Sequence, residues 1–199
     1  MDPEDVDEDP TVTLAGWLDA ARQSGEPLPQ AMALATASPD GVPSARMVIL
    51  RGLDRRGLVF YTDRESHKGR ELAANPRASL VFHWHLPRHR QVTVSGEVEP
   101  TTDEELGGYW RSSPPALRLA LVASHQSEVI PSRAVLEERV AELAHEHPDE
   151  TGVPRPERWL GYRVKPVVVE LWEEREDLLH DRLRYRLDND RWQLERLSP

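Results

Sequence analysis

Apolar residues recur with two different periods along this chain. Between Val12 and Arg22, Leu14, Trp17, Leu18 and Ala21 fall at helical spacing, and the Pro-rich GEPLP stretch closes that helix. Beyond it the period shortens to that of strands. AMALATA (31–37) is a small apolar run ended by the turn signal SPDG. PSARMVILR (43–51) sets Ala45, Met47 and Ile49 against Arg46, Val48 and Leu50, so both of its faces are apolar at the centre. GLDRRG reads as a turn, and LVFYT (58–62) is a β-branched and aromatic run. A helix follows from ESHKGREL to about Ala74, stopped by Asn75-Pro76. ASLVFHWH (78–85) and RQVTVSGEVEP (90–100) make a further pair of strands.

The middle of the chain changes period again. TTDEELGGYWRSS (101–113) opens with threonine and acidic residues, as the positive end of a helix prefers. Residues 132–146 place Leu136, Val140 and Leu143 on one helical face behind Ser132, and 147–157 read as a loop. WLGYRVKPVVVELWEE (159–174) fits a long strand or a bent pair. RLRYRL (182–187) and RWQLERL (191–197) are strands joined by an Asp-Asn-Asp turn. Five early strands broken by one helix, with hairpin-length turns, predict an antiparallel barrel closed on itself. The fold expected is mainly β with peripheral helices. Residues 28–199 form a single domain, 11–27 a helix and connection, and 1–10 an acidic, flexible arm with six carboxylates and two prolines.

Charge and composition narrow the chemistry. At 199 residues with formal net charge −10, the chain lacks the basic field on which non-specific nucleic-acid binding feeds. It has no cysteine, which removes disulfides, thiolate nucleophiles and cysteine-based metal sites. The sequence shows neither an apolar run of membrane-spanning length nor a signal-peptide pattern, and a cytoplasmic location is expected, with no membrane partner. Walker A, G-x-G-x-x-G and G-x-S-x-G motifs are absent.

Within that acidic chain, ESHKGREL gathers His67, Lys68 and Arg70 at a helix start capped by Ser66. Lys68 is one of only two lysines. Two readings stand side by side: a capped surface helix with scattered charge, or an anion site built from helix amides, lysine and histidine. Arg46 and Arg51, at i and i+5 on one strand, allow one of the pair to join Lys68 around a phosphate; the alternative is pairing with surface carboxylates. His83 and His85 share a strand face, but without a third ligand in view stacked or exposed imidazoles are the simpler reading, and no metal is expected. Trp172, His180 and Arg182 offer an edge for a flat heteroaromatic ring, or equally a core tryptophan and a structural turn.

The segments ALAT, ARMVILRG, VFYT, SHKGREL, NPRASL, FHWH, RQVTVSGEVE, SHQSEVI, LHDRLRY and ERLSP, in that order, resemble the pyridoxamine/pyridoxine 5′-phosphate oxidase family. These are FMN enzymes of vitamin B6 metabolism, with relatives in phenazine biosynthesis. The resemblance covers roughly residues 28–199. It implies an FMN-binding split β-barrel and a homodimer with FMN at the subunit interface. It places Arg46, Tyr61, Thr62, His67 and Lys68 around the FMN phosphate and its surroundings. Gln91, Gln126, Ser127, Trp172 and Arg182 match the other flavin positions. His67 stands where the family usually has arginine.

The substrate positions depart from the family pattern. The lysine, tyrosine, arginine and serine that hold a substrate phosphate correspond here to Arg51, Tyr109, Ser113 and Leu117. The family's Arg-x-His pair corresponds to Leu178 and His180. Arg118, next to Leu117, is a candidate to replace part of the lost contact. By resemblance the chain is an FMN-dependent oxidase, in which a C–H of a small nitrogen-containing ring gives hydride to flavin and then to O2. His180 would orient substrate, and Arg182 would favour negative charge on the reduced flavin. The departures point to a substrate other than the usual B6 phosphates, as in the phenazine branch. Ordinary pyridoxamine phosphate oxidation and a flavin-binding module without turnover are the alternatives.

Overall fold

A computed structural model describes residues 1–148 and 152–199. Part of the loop expected over 147–157, residues 149–151, lies outside the described residues. The chain begins with α1 (Pro10–Gln23), whose Asp9 cap accepts the Thr11 amide and whose Leu14, Leu18 and Ala21 are buried at helical spacing. Nine strands then form one antiparallel sheet: β1 (Ala31–Ala37), β2 (Pro43–Ile49), β3 (Gly52–Asp54), β4 (Gly57–Asp63), β5 (Arg77–Trp84), β6 (Arg90–Pro100), β7 (Trp159–Glu173), β8 (Asp181–Asp188) and β9 (Arg191–Arg196). The helix α2 (His67–Ala74) separates β4 from β5. The helices α3 (Asp103–Ser112), α4 (Pro115–Ala123) and α5 (Arg133–Glu146) separate β6 from β7.

The expected closure needs correction. The hydrogen-bonded order β2-β1-β5-β6-β7-β4-β3 is open, and β8 and β9 continue outward from β7. Its two ends are nevertheless one stretch of chain. The Leu50 amide donates to the Gln30 carbonyl on the β1 side (2.9 Å), while the next amide, Arg51, donates to Val59 of β4 (2.8 Å). The strand changes partner between adjacent residues, so the barrel is split at that point. GLDRRG, expected to be only a turn, supplies β3 as well.

Strand alternation builds the core. Met32 and Leu34, Phe60, Leu80 and Phe82, Val92 and Val94, Leu171, and Leu183 all point inward and are fully buried. The long C-terminal segment is a single strand, β7, bent where its register with β6 slips: Ser95 faces Val168 but Gly96 faces Pro166. Pro166 is tolerated at that irregularity, and only glycine fits opposite it, since a Cβ on residue 96 would lie 1.8 Å from the Lys165 carbonyl oxygen. A second apolar cluster, Leu106, Trp110, Leu119, Val153 and Trp159, docks the middle helices over one end of β4 and β7.

Two further expectations differ from what is observed. The acidic arm is packed rather than loose: Met1 and Val6 lie against the core, and the Tyr185 hydroxyl donates to the Asp7 carbonyl at 2.6 Å. Two of its six carboxylates pair with arginines distant in sequence, Asp2 with Arg196 at 2.6 Å and Asp9 with Arg55 at 3.5 Å. The elements expected from sequence include none over 115–123, where α4 forms with Pro115 in its first turn, a position at which the missing N–H costs nothing. Among the described residues no helix is long and apolar enough to cross a membrane.

Replacing Gly96 by alanine forces apart the β6–β7 backbones at the bend. Equilibrium urea unfolding should show a loss of about 3 kcal/mol, in the range of overpacked cores.

Candidate functional site

The start of α2 is built for charge. Ser66 caps it, its hydroxyl oxygen accepting the Gly69 amide at 3.2 Å. Lys68 then reaches back from the first turn. Its ammonium donates to Thr62 Oγ1 (3.0 Å), Ser66 Oγ (3.2 Å) and Gln126 Oε1 (3.0 Å). Thr62 comes from the end of β4, and Gln126 and Ser127 from the segment after α4. The Ser127 hydroxyl accepts the His67 amide at 3.1 Å. Burial pushes the Lys68 ammonium down from its ordinary value, the nearby Arg46 charge adds to the effect, and Asp63 opposes it.

Arg46 sits beside this group on the core-facing side of β2. It donates to Thr36 Oγ1 and Ser44 Oγ, each at 2.5 Å, and pairs with Glu71 Oε2 at 3.3 Å. His67 approaches the other Glu71 oxygen at 3.2 Å. Glu71, Thr36 and Ser44 are residues that reading the sequence missed. His67–Glu71 is an i,i+4 pair and was findable. Thr36 and Ser44 face each other only through the β1–β2 register.

A cleft of about 210 Å³ opens next to Lys68, at the split in the barrel. Arg51, Tyr61, Thr62, Tyr109, Leu117 and Gln126 line it, so both sets of expected residues meet here. Tyr61 and Tyr109 stack at 4.0 Å with planes 8° apart, and the Arg51 guanidinium lies 5.5 Å from the Tyr109 ring centre. α3 is held in this position by Glu105, which pairs with the buried Arg163 at 2.6 Å. Ser113 is close by but buried, and its hydroxyl donates to the Tyr109 carbonyl at 2.9 Å.

The remaining expected residues lie elsewhere. Gln91, Trp172 and Arg182 stand in register across β6, β7 and β8, on the face opposite the core. Arg182 is fixed by Glu170 at 2.7 Å, and the His180 ring packs 4.9 Å from Trp172. Leu178 is exposed in the connection between β7 and β8. Thr62 faces Leu160 on β7, and Trp172 lies twelve residues further along the same strand. At ~3.3 Å per residue that is a contour of about 40 Å. The two groups do not share a cleft within one chain.

His83 and His85 join His89 rather than a metal-binding set. His85 Nδ1 lies 3.2 Å from His89 Nε2, and His89 Nδ1 lies 2.7 Å from Glu174. Among the described residues no group of three or more histidine or acidic side chains is arranged to hold a metal ion.

Comparison with known proteins bears directly on this arrangement. The family model described as pyridoxamine 5′-phosphate oxidase matches residues 18–146, and that of the pyridoxine 5′-phosphate oxidase C-terminal dimerisation region matches 159–199. The chain belongs to the pyridoxamine 5′-phosphate oxidase family. Curated relatives named pyridoxine/pyridoxamine 5′-phosphate oxidase include one from Nostoc sp., 46% identical over 98% of this chain and 91% of its own length. Another, from Salinibacter ruber, is 47% identical with the same coverage. The solved structure of PhzG from Burkholderia lata 383, in complex with tetrahydrophenazine-1-carboxylic acid, superposes with a TM-score of 0.93. It is 34% identical and is matched over 100% of this chain and 98% of its own. The dimerisation-region match contains both Trp172 and Arg182.

For this family member, competitive acetylation followed across pH should give Lys68 a titration midpoint below the ordinary lysine value of 10.5. A midpoint at or above that value would mean that its burial is not sustained in solution.

Proposed function

We propose that the chain is an FMN-dependent oxidase acting as a two-fold dimer, on a flat nitrogen-containing ring that does not carry the usual B6 phosphate. The donor set at α2 fits the cofactor: an ammonium, a guanidinium, the Ser127 hydroxyl and a helix N-terminus suit a phosphate monoester, with Thr62 and Ser66 holding the ammonium in place. FMN supplies the redox chemistry when bound, taking an electron pair from a substrate C–H bond and returning it to O2. Lys68, Arg46, Thr62, His67, Gln126 and Ser127 hold the phosphate end. Gln91, Trp172 and Arg182 of the second copy would serve the ring end, a reading supported by their separation along β7 from the cleft beside Lys68. Arg182, held in place by Glu170, would place positive charge beside the flavin.

The dimer reading has support in the sheet itself. The outward residues of β1 and β2, Ala33, Ala35, Ala45 and Met47, pair into a smooth small-residue patch, with Met47 63% exposed. A second copy covering it would bury apolar surface and bring the two half-sites together. Met47→Asp should yield a monomer by analytical ultracentrifugation and lose flavin with it; a dimer that keeps its flavin would contradict this.

The substrate reading rests on one observation. Where the family clamps a substrate phosphate, the Ser113 hydroxyl is committed to the Tyr109 carbonyl, and Leu117 and Leu121 line the cleft. Arg51 is the cation left above Tyr109, enough to hold one carboxylate. His180, stacked near Trp172, would orient the ring. The likeness to the PhzG structure agrees with this reading. Oxidation of pyridoxamine or pyridoxine 5′-phosphate is the second reading, favoured by the identity to relatives of that name and by the retained Tyr109 and basic residue 51.

Hydrogen peroxide release by FMN-loaded protein, with anaerobic bleaching of the flavin, separates the two. The kcat/KM for tetrahydrophenazine-1-carboxylic acid should exceed that for either B6 phosphate by at least about tenfold, or about 1.4 kcal/mol. Efficient turnover of a B6 phosphate would reverse the preference.

A further inference from the structure

Arg46 would be a long, mobile side chain if nothing stood behind it. Instead its guanidinium is fastened by two hydroxyls that are themselves fastened to one carboxylate. One terminal nitrogen donates to Thr36 Oγ1 at 2.5 Å and the other to Ser44 Oγ at 2.5 Å. The Thr36 and Ser44 hydroxyls in turn donate to the same oxygen, Glu71 Oε2, at 2.5 Å and 2.6 Å. Each hydroxyl has a single proton, so the direction of both chains is set: arginine donates to hydroxyl, and hydroxyl donates to carboxylate. Glu71 is buried, at 5% exposure, and accepts from Thr36, Ser44 and Arg46, with the His67 ring 3.2 Å from its other oxygen.

Glu71 also belongs to α2, the helix that carries Lys68 and His67. One acidic side chain therefore ties the β1–β2 hairpin to the helix that presents the ammonium. The other carboxylate near this group, Asp63, is already engaged by Arg158 at 2.9 Å. Burial opposes ionisation of Glu71, but the hydrogen bonds from Ser44 and Thr36, with His67 and Arg46 beside them, prevail and hold it below the usual carboxylate range.

We infer that Glu71 is a positioning residue for the anion end of the cleft, holding Arg46 and α2 at the spacing that a phosphate monoester requires. The inference rests on the reading that this cleft takes the phosphate of FMN. Coulomb's law alone argues the other way, because a carboxylate beside an anion site repels the anion. The structure favours positioning, since the charge of Glu71 is already taken up by Thr36, Ser44 and Arg46. The two effects predict opposite results when the charge is removed.

The test is titration of flavin-stripped full-length protein with FMN and, separately, with riboflavin, which lacks the phosphate, followed by flavin fluorescence. In Glu71→Gln the amide oxygen can still accept both hydroxyls at the Oε2 position, but the negative charge that anchors Arg46 is lost. FMN should bind at least about tenfold more weakly, as expected for the loss of a charge-assisted contact, while riboflavin affinity is unchanged. Thr36→Val and Ser44→Ala each cut a single relay and leave the carboxylate in place. They should give a smaller loss, again confined to FMN, and they carry the test if Glu71→Gln does not fold. Tighter or unchanged FMN binding in Glu71→Gln overturns the inference, as does an equal loss for both ligands across the soluble variants. If the unsubstituted protein binds FMN no better than riboflavin, the phosphate reading itself falls, a result distinct from failure in the variants alone.

Discussion

A half-buried ammonium needs oxygen on its inner side, and the arrangement around Lys68 follows from that requirement. Its three hydrogen bonds draw on the end of β4, the cap of α2 and the segment after α4. Thr62 and Ser66 are within six residues of Lys68, whereas Gln126 is 58 positions away and is brought in by the helical layer added to the split barrel. α3 and α4 are held over the site by the Trp110–Trp159 cluster and by the Glu105–Arg163 pair. Tyr109 is thereby placed on Tyr61, and the cleft acquires its floor.

The second constraint is the length of β7. One strand pairs with β4 near the phosphate-type cradle and, beyond its bend, carries Trp172 between Gln91 and Arg182. Trp172 lies twelve residues along β7 from Leu160, the partner of Thr62, and does not line the cleft beside Lys68. The family match over 159–199, described as a dimerisation region, falls on the segment that holds the ring-end residues.

Much of the fold was legible because it rests on local periodicity. The alternation in AMALATA and RQVTVSGEVEP gave strands within a residue of those observed, and Ser66 and Asn75-Pro76 bounded α2 correctly. α4 was hidden because proline carries opposite meanings in the first turn and in the middle of a helix. The arm was misread because its six carboxylates suggest repulsion, whereas arginines distant in sequence pair with two of them. For the site, the cluster of Lys68 with Arg46 was legible as basic residues near a capped helix. Glu71 was passed over as one acidic residue among many.

The sequence by itself determined most of the elements (β3 and α4 excepted), the family and the residue types available for chemistry, because hydrophobic period, caps and ordered motifs are written within a few neighbouring positions. Only the tertiary structure decided which residues act together. It set Thr36 opposite Ser44, changed the partner of the chain between Leu50 and Arg51, and separated Trp172 from Lys68. Those outcomes depend on strand register and on packing between distant segments, where a shift of one residue reverses the face of every side chain.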